Sequence, residues 1–171
     1  IAALIRSQPD AAEEAIEDLA DLFRASLNSS HERATLAEEL DLAERYLNIE
    51  ALRLGDRLRI EWNIDGVPPD TRVPPLVMQP LLENAIYHGI EPLPDGGLIR
   101  VAGRVERGMV DITITNPVST QDPGEHAGNR MAQDNIHQRL RLAYGARAGL
   151  DAAREGDTYR VSMRFPEAST A

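Results

Sequence analysis

The 171-residue sequence contains no cysteine and no lysine, and all of its 18 basic residues are arginine. Without cysteine, the chain can form neither disulfides nor thiolate zinc sites, and it cannot use a thiol as a catalytic nucleophile. Long hydrophobic runs are also absent, because no stretch approaches the roughly 18 consecutive apolar residues that a membrane helix needs. The sequence therefore excludes these classes of protein and leaves a globular chain with a 42% hydrophobic composition.

Positive charge is scarce relative to negative charge. The 18 arginines face 28 acidic residues, which gives a formal net charge of −10. This balance argues against nonspecific binding to DNA or to anionic lipid, so we predict no nucleic-acid partner and no direct membrane contact. A local anion site would need arginine, backbone N–H groups or a metal ion.

The beginning of the chain has neither an initiator methionine nor a basic leader, since it reads Ile1-Ala2-Ala3-Leu4-Ile5-Arg6. It resembles the middle of a helix, so we expect the sequence to be part of a longer protein. Its length suggests one domain with an appendage.

Two helices are predicted in the first 54 residues. The first has apolar side chains at spacings of three and four: Ala12, Ile16, Leu19 and Phe23. The second begins at the capping-box pair Thr35 and Glu38 and ends at Gly55. The stripe of the first helix could be the seam of a homodimer, or it could pack within one chain.

After Gly55 the hydrophobic period changes from helical to alternating. The pattern predicts strands at 58–64, 98–105, 109–115, 150–154 and 159–165, helices at 76–90 and 131–144, and a mobile loop at 117–130. Antiparallel strands interspersed with helices are typical of an α+β sandwich in which helices cover one face of a sheet.

Polar residues converge on one side of the predicted helix 76–90. Asn84 and His88 are in i,i+4 register, and Glu83 borders them. A carboxamide beside a carboxylate and an imidazole could hold a hydrated Mg²⁺ and the phosphates that it bridges, because magnesium needs few protein ligands. An ordinary solvent-facing helix surface would have the same composition, and this alternative stays open.

A second polar cluster joins the predicted loop to the next helix. Gly128 allows close backbone approach, Arg130 supplies charge, and the helix start offers free N–H groups to an anion. With only one glycine this is a weak phosphate-loop pattern, and a loop with a solvated Arg130 explains it equally well.

Taken together, these segments resemble one family. The run from Pro74 to Ile90 looks like the N-box of LytS/YehU-type sensor histidine kinases. The segments 36–40 and 46–54 resemble the region between the dimerisation helices and the ATPase domain of that family, and 135–140 resembles the helix after the ATP lid. Within the family, the sequence is most similar to the AlgZ (FimS)-like alginate and pilus regulatory sensors.

The resemblance implies a Bergerat (GHKL) ATP-binding fold, an α+β sandwich with nucleotide beneath a flexible lid. It also implies that residues 1–54 belong to the dimerisation and connecting helices, and that residues 55–171 form the catalytic domain. The expected ligands are ATP and Mg²⁺, and the expected partners are a response regulator and a second copy of the intact protein. The domain would be cytoplasmic, and the full-length protein would lie in the bacterial inner membrane.

The same resemblance assigns roles to individual residues. Asn84 matches the magnesium-binding asparagine, while Glu83 and His88 match the catalytic positions beside it that face the phosphates or the attacking group. The nucleotide-binding positions by this match are Tyr87, Thr115, Asn116, Gly128, Asn129, Arg130, Asn135 and Arg139.

The sequence departs from the family pattern at three places. Thr115 stands where typical members have the aspartate that accepts a hydrogen bond from adenine, which would weaken adenine binding about tenfold because neutral hydrogen bonds are weaker than charge-assisted ones. Two lid glycines are replaced by Arg130 and Ala132, and a lysine of many kinases is replaced by Tyr87.

The phosphoacceptor histidine of the family is expected just before Ile1 and is absent, so this chain should not phosphorylate itself. The resemblance thus implies the ATP-binding catalytic domain of a sensor histidine kinase. The alternatives are a pseudokinase-like module that binds a response regulator with little or no ATP binding, and a hydrolytic GHKL ATPase.

Overall fold

The computed structural model describes residues 4–27, 33–119 and 127–167, the first four residues of the last range through their backbone only. In these ranges the α-helices are α1 (Pro9–Leu27), α2 (Leu36–Leu54), α3 (Met78–Ala85) and α4 (Ala127–Tyr144). The strands are β1 (Ala34–Thr35), β2 (Leu58–Gly66), β3 (Arg72–Val73), β4 (Gly97–Glu106), β5 (Met109–Pro117), β6 (Gly149–Glu155) and β7 (Thr158–Pro166).

The start of α2 confirms the predicted capping box. The Glu38 backbone N–H donates to Thr35 Oγ1 (3.2 Å), and the Thr35 N–H donates to Glu38 Oε2 (2.7 Å). These bonds satisfy two backbone donors that the first helical turn would otherwise leave unpaired. The helix ends at Gly55, whose φ of 55° is left-handed.

The packing of α1 on α2 divides the predicted apolar stripe. Ala12 and Ala15 are buried against α2, and the buried Asp18 carboxylate accepts hydrogen bonds from Arg45 and Asn48 of α2. The other members of the stripe remain exposed: Ile16, Leu19 and Phe23. Residues 4–7, expected to continue a helix, form a turn instead.

The main sheet has five strands in the order β2-β4-β5-β7-β6, with β2 parallel to β4 and the other pairs antiparallel. The predicted strands are confirmed. A second pairing, β1 with β3, was not predicted, because two-residue strands are too short to show a period.

The core lies on one face of this sheet. Strand residues such as Ile99, Ile112 and Met163 share a buried cluster with residues of α2, α3 and α4, whereas the alternating residues Arg100 and Arg104 are exposed. Because α2 contributes several buried side chains to that cluster, the core contains residues from both sides of the division predicted after residue 54. The division into dimerisation helices and a catalytic domain remains a prediction.

Two helix boundaries differ from the predicted ones. Instead of one helix over 76–90, α3 begins at Met78, because Leu76 has a left-handed φ of 55°. The helix then continues as a π-helical turn (Ile86–Ile90). Residues 127–130, predicted as loop, are the first turn of α4, whose start has no apolar periodicity to mark it. Residues 120–126 of the predicted loop lie outside the described ranges.

None of the helices in the described part of the chain combines the length and the apolar character that a membrane crossing requires.

Candidate functional site

The outer side of α3 and its π-helical turn carries the polar residues that the helix pattern placed together. Glu83 and Tyr87 are exposed, and Asn84 and His88 are half-buried. The rings of Tyr87 and His88 meet edge to face, with their centroids 4.8 Å apart. The predicted inner side is confirmed, since all of its members are buried: Met78, Leu82, Ala85, Ile86 and Gly89.

The π-helical turn changes the spacing on this side. The Glu91 N–H donates to the Ile86 carbonyl (2.9 Å), five residues back, so the turn is wider than an α-helical one. The i,i+4 register expected for Asn84 and His88 therefore does not hold strictly. Single π-helical turns are found frequently at functional sites.

Asn84 has an unpaired polar atom. Its Nδ2 is buried and finds no hydrogen-bond acceptor among the residues that the structure describes. An unpaired buried donor costs roughly 1–3 kcal/mol, which a phosphate oxygen accepting from Nδ2 would remove.

A magnesium ion would need few protein ligands at this place. The described residues contain no group of three or more histidine, aspartate or glutamate side chains that could hold a metal. Magnesium, however, binds through one or two protein oxygens together with water and phosphate. The Oδ1 atom of Asn84 beside a donor suited to phosphate fits a magnesium–nucleotide complex.

The end of β5 adds a second carboxamide. Asn116 is only 3% exposed and lies on the same strand face as the buried Val110, Ile112 and Ile114. A Cβ atom on Gly89 would lie 2.3 Å from Asn116 Nδ2, so the Asn116 side chain packs directly on the π-helical turn.

Thr115 is one residue away and lies on the opposite sheet face. Its strand neighbours Arg100 and Arg160 are both exposed. Strand alternation thus directs Asn116, not Thr115, towards α3, and this placement does not support a contact of Thr115 with adenine.

The orientation of the Asn116 carboxamide is defined by a hydrogen bond. Nδ2 donates to the carbonyl of Pro117 (2.8 Å). The reversed orientation would bring two acceptor oxygens together. Asn116 therefore offers Oδ1, an acceptor, to any ligand that reaches it.

The first half of α4 lies at the same end of the sheet. Gln133 Nε2 donates to the hydroxyl of Tyr159 (2.9 Å), and Tyr159 is the strand neighbour of Asn116. Neither Gln133 nor Tyr159 stood out in the sequence, because only the folded sheet brings them beside Asn116. The beginning of α4 and the end of α3 therefore flank one region.

The remaining predicted residues are distributed along α4. The backbone of Gly128, Asn129 and Arg130 forms the first turn of α4, where N–H groups have no partner within the helix and can bind an anion. Their side chains lie outside the described part. Asn135 is exposed. Arg139 lies further away, because its guanidinium donates to the carbonyls of Pro75 and Leu76 at the opposite end of α3.

Glu39 of α2 is a buried carboxylate that lies against the start of α3 and was not predicted as a site residue from the sequence. It is 3% exposed and accepts hydrogen bonds from the backbone N–H groups of Leu76 (2.5 Å), Val77 (2.8 Å) and Met78 (3.0 Å). Burial raises the pKa of the Glu39 carboxyl, and the three bonds oppose that rise. The sequence did contain one sign of this burial: Glu39 lies three residues after the apolar Leu36, on the same side of α2.

The protein resembles sensor kinases along nearly its whole length. A family model described as histidine kinase matches residues 1–58. Sensor histidine kinase BtsS of Escherichia coli (strain K12) is 30% identical over 167 residues, covering 97% of this chain and 30% of BtsS. Sensor protein LytS of Streptococcus agalactiae serotype V is 29% identical over 178 residues, with coverage of 97% and 30%. The chain thus spans 30% of the length of each of these relatives.

Solved structures share its fold at low sequence identity. The catalytic domain of histidine kinase ThkA matches with a TM-score of 0.57 and 13% identity, covering 79% of this chain and 95% of that one. ThkA in complex with the response regulator protein TrrA matches with a TM-score of 0.54 and 14% identity, covering 90% and 48%. The predicted α+β fold of GHKL type is confirmed. The chain belongs to the sensor histidine kinase family and has the fold of its ATP-binding catalytic domain.

Proposed function

We propose that the chain binds magnesium–ATP between the outer side of α3 and the beginning of α4. In the intact kinase the γ-phosphoryl group would pass to a histidine that this chain does not contain, and then to an aspartate of a response regulator. The observation that carries this proposal is the buried, unpaired Nδ2 of Asn84.

Each group at the site then has a chemical task. Asn84 Oδ1 would bind the magnesium ion, and Nδ2 would donate to a phosphate oxygen. The free N–H groups in the first turn of α4 would bind the phosphates, where the helix dipole favours negative charge. Glu83 and His88 would face the phosphates or the attacking group. Bound magnesium would neutralise charge on the phosphates, and the rest of the task is positioning.

Asn116 would recognise the base of the nucleotide. One N–H of its Nδ2 is engaged by the Pro117 carbonyl, and this bond fixes the orientation of the carboxamide, so that Oδ1 is the acceptor it can present to a ligand. The exocyclic amino group of adenine can donate to this oxygen, whereas the O6 atom of guanine would repel it.

The direct test is calorimetric titration of the chain with nucleotide in Mg²⁺. We expect ATP to bind at least about tenfold more tightly than GTP, because a buried acceptor that meets another acceptor costs more than 1 kcal/mol. The same titration in EDTA gives the contribution of the metal. Absence of ATP binding would instead favour the pseudokinase-like module, and steady phosphate release would favour the hydrolytic ATPase.

The partners follow the same proposal. ThkA, which shares the fold, is found with a response regulator, and we propose a response regulator as the partner of the intact protein. We also propose that this protein belongs with the AlgZ (FimS)-like sensors and resides in the bacterial inner membrane through segments outside this chain. Fractionation of cells that contain the intact protein would test the location, and recovery in the soluble fraction would contradict it.

The exposed stripe of α1 supports a homodimer. Ile16, Leu19 and Phe23 are apolar and exposed on a helix whose other side packs on α2. We expect dimers in sedimentation velocity runs at increasing protein concentration, and Phe23→Glu should shift the chain towards monomer because it places a charge in an apolar seam. Leu142→Glu, at another exposed apolar residue, is the control. Equal association of both variants would argue against a seam on α1.

A further inference from the structure

Helix α2 and the short 3₁₀ turn that follows it (Gly55–Arg57) hold both ends of the helix that carries Asn84. At the amino end, the Glu39 carboxylate of α2 accepts three backbone N–H groups of Leu76, Val77 and Met78. The N–H groups of Val77 and Met78 are donors that the start of α3 cannot pair internally, and a negative charge there also complements the helix dipole.

At the carboxyl end the contact is made by Arg57, which has the opposite charge and is the last residue of the 3₁₀ turn after α2. Its Nη2 donates to the carbonyls of Ile90 (3.5 Å), Glu91 (3.0 Å) and Leu93 (2.9 Å), just beyond the π-helical turn. Arg53, in the last turn of α2, forms an ion pair with Glu91. A cation at this end complements the helix dipole, and it binds the Glu91 carbonyl together with two carbonyls that also accept backbone N–H groups, those of Ile90 and Leu93.

The lengths of the helices allow this double attachment. α2 has 19 residues, whereas α3 and the π-helical turn have 8 and 5. The two elements also pack side by side in the core through residues such as Leu47 and Leu82. Asn84 lies between the two attachment points, so a displacement of α2 would be transmitted to it from both sides.

The amino-terminal attachment also holds a backbone conformation that is unfavourable in isolation. Leu76 has a φ of 55°, which costs about 1–2 kcal/mol for a residue with a Cβ atom. Its N–H is bound by Glu39, and its carbonyl is bound by Arg139 of α4. Residues outside the loop therefore fix this turn and, with it, the first residue of α3.

We propose that Glu39 and Arg57 are positioning residues that fix the Asn84 helix relative to α2, so that affinity for the magnesium–nucleotide complex depends on the position of α2. The inference rests on the proposed nucleotide binding and adds to it a way in which the preceding helices control the site. Neither residue touches the nucleotide in this proposal. Their effect should therefore appear in the metal-dependent part of binding, which needs the exact position of Asn84.

The test uses Glu39→Gln and Arg57→Lys, each with a matched control of the same chemistry at an exposed position, Glu44→Gln and Arg59→Lys. We expect each test variant to weaken ATP binding in Mg²⁺ about tenfold, as loss of a charge-assisted contact implies, and to change ATP binding in EDTA by less than about twofold. The controls should bind like the wild type. Binding is measured by calorimetry at a temperature where every variant is fully folded.

Amide hydrogen exchange without nucleotide separates this inference from the proposed function. We expect exchange in either test variant to accelerate along 78–93, including residues remote from the substituted contact. If hydrogen exchange accelerates only at Leu76–Met78 or at residues 90–93, and ATP binding in Mg²⁺ is unchanged, Glu39 and Arg57 only stabilise their own ends of the helix. That result would overturn the proposal. If the wild type binds no nucleotide, the proposed function fails, and the exchange pattern alone decides whether α2 positions α3.

Discussion

Replacement of Asn84 by alanine is expected to remove most of the magnesium-dependent affinity for ATP. The substitution deletes both the oxygen proposed to bind the metal and the buried Nδ2 that lacks a protein acceptor. A hydrogen bond to a charged group contributes about 1.5–3 kcal/mol, so we expect a loss of roughly 10- to 100-fold in affinity. Calorimetric titration with ATP in Mg²⁺ and in EDTA measures it.

Asn84→Asp distinguishes the two tasks of the carboxamide. Aspartate keeps an oxygen ligand for the metal but loses the donor to phosphate and adds a negative charge. We expect it to retain Mg²⁺ dependence at reduced affinity. Asn63→Ala, at an exposed asparagine of β2, serves as the control. Wild-type affinity in Asn84→Ala with Mg²⁺ would place the nucleotide elsewhere.

Replacement of Gly89 by alanine is expected to lower the free energy of unfolding by about 1–3 kcal/mol, the usual cost of inserting a methyl group into a packed core. The new Cβ atom would lie 2.3 Å from Asn116 Nδ2 and 2.7 Å from the Pro117 carbonyl oxygen. Backbone and side chain must both move to accommodate it. Urea denaturation measures the change, and the ATP titration shows whether the displaced Asn116 still binds the base.

A matched glycine controls for the substitution itself. Gly149 begins β6, and a Cβ there would meet nothing closer than His137 Cε1 at 3.6 Å. Gly149→Ala should change stability by less than about 0.5 kcal/mol. Combining Gly89→Ala with Asn116→Ala should recover part of the lost stability, because it removes the nearest obstructing atom. Equal stability of Gly89→Ala and the wild type would show that the π-helical turn is not packed as described.

Local patterns in the sequence were sufficient for most of the regular elements. The capping box of Thr35 and Glu38 and the glycine at position 55 defined α2, because caps act within a few residues of the chain. The alternation of apolar and polar residues from Leu58 to Ile64 defined β2, because one face of the sheet is buried and the other faces solvent. The polar side of α3 was likewise visible as spacing.

At the end of β5, the motif match and the alternation of the strand point to different residues. Matching placed Thr115 at the position of the family aspartate, yet the buried alternation Val110, Ile112 and Ile114 continues to Asn116. That alternation was readable in the sequence, and it directs Asn116 to the helical face.

Other features depend on parts of the chain that are distant in sequence. The left-handed turn at Leu76 exists because Glu39 and Arg139 hold it, and the helix pattern of 76–90 contained no sign of it. Arg139 matched a nucleotide-binding position by its distance from the lid, but the packing of α4 against the start of α3 places it on backbone carbonyls.

The sequence by itself determined most of the elements, their order, the buried side of α3 and the family, because these depend on contacts and periodicities within short stretches. Only the tertiary structure decided that α2 and the turn after it hold both ends of the Asn84 helix and that Asn116 faces that helix. Those relations arise when charges and strands far apart along the chain meet around one core, where most buried polar groups find a partner.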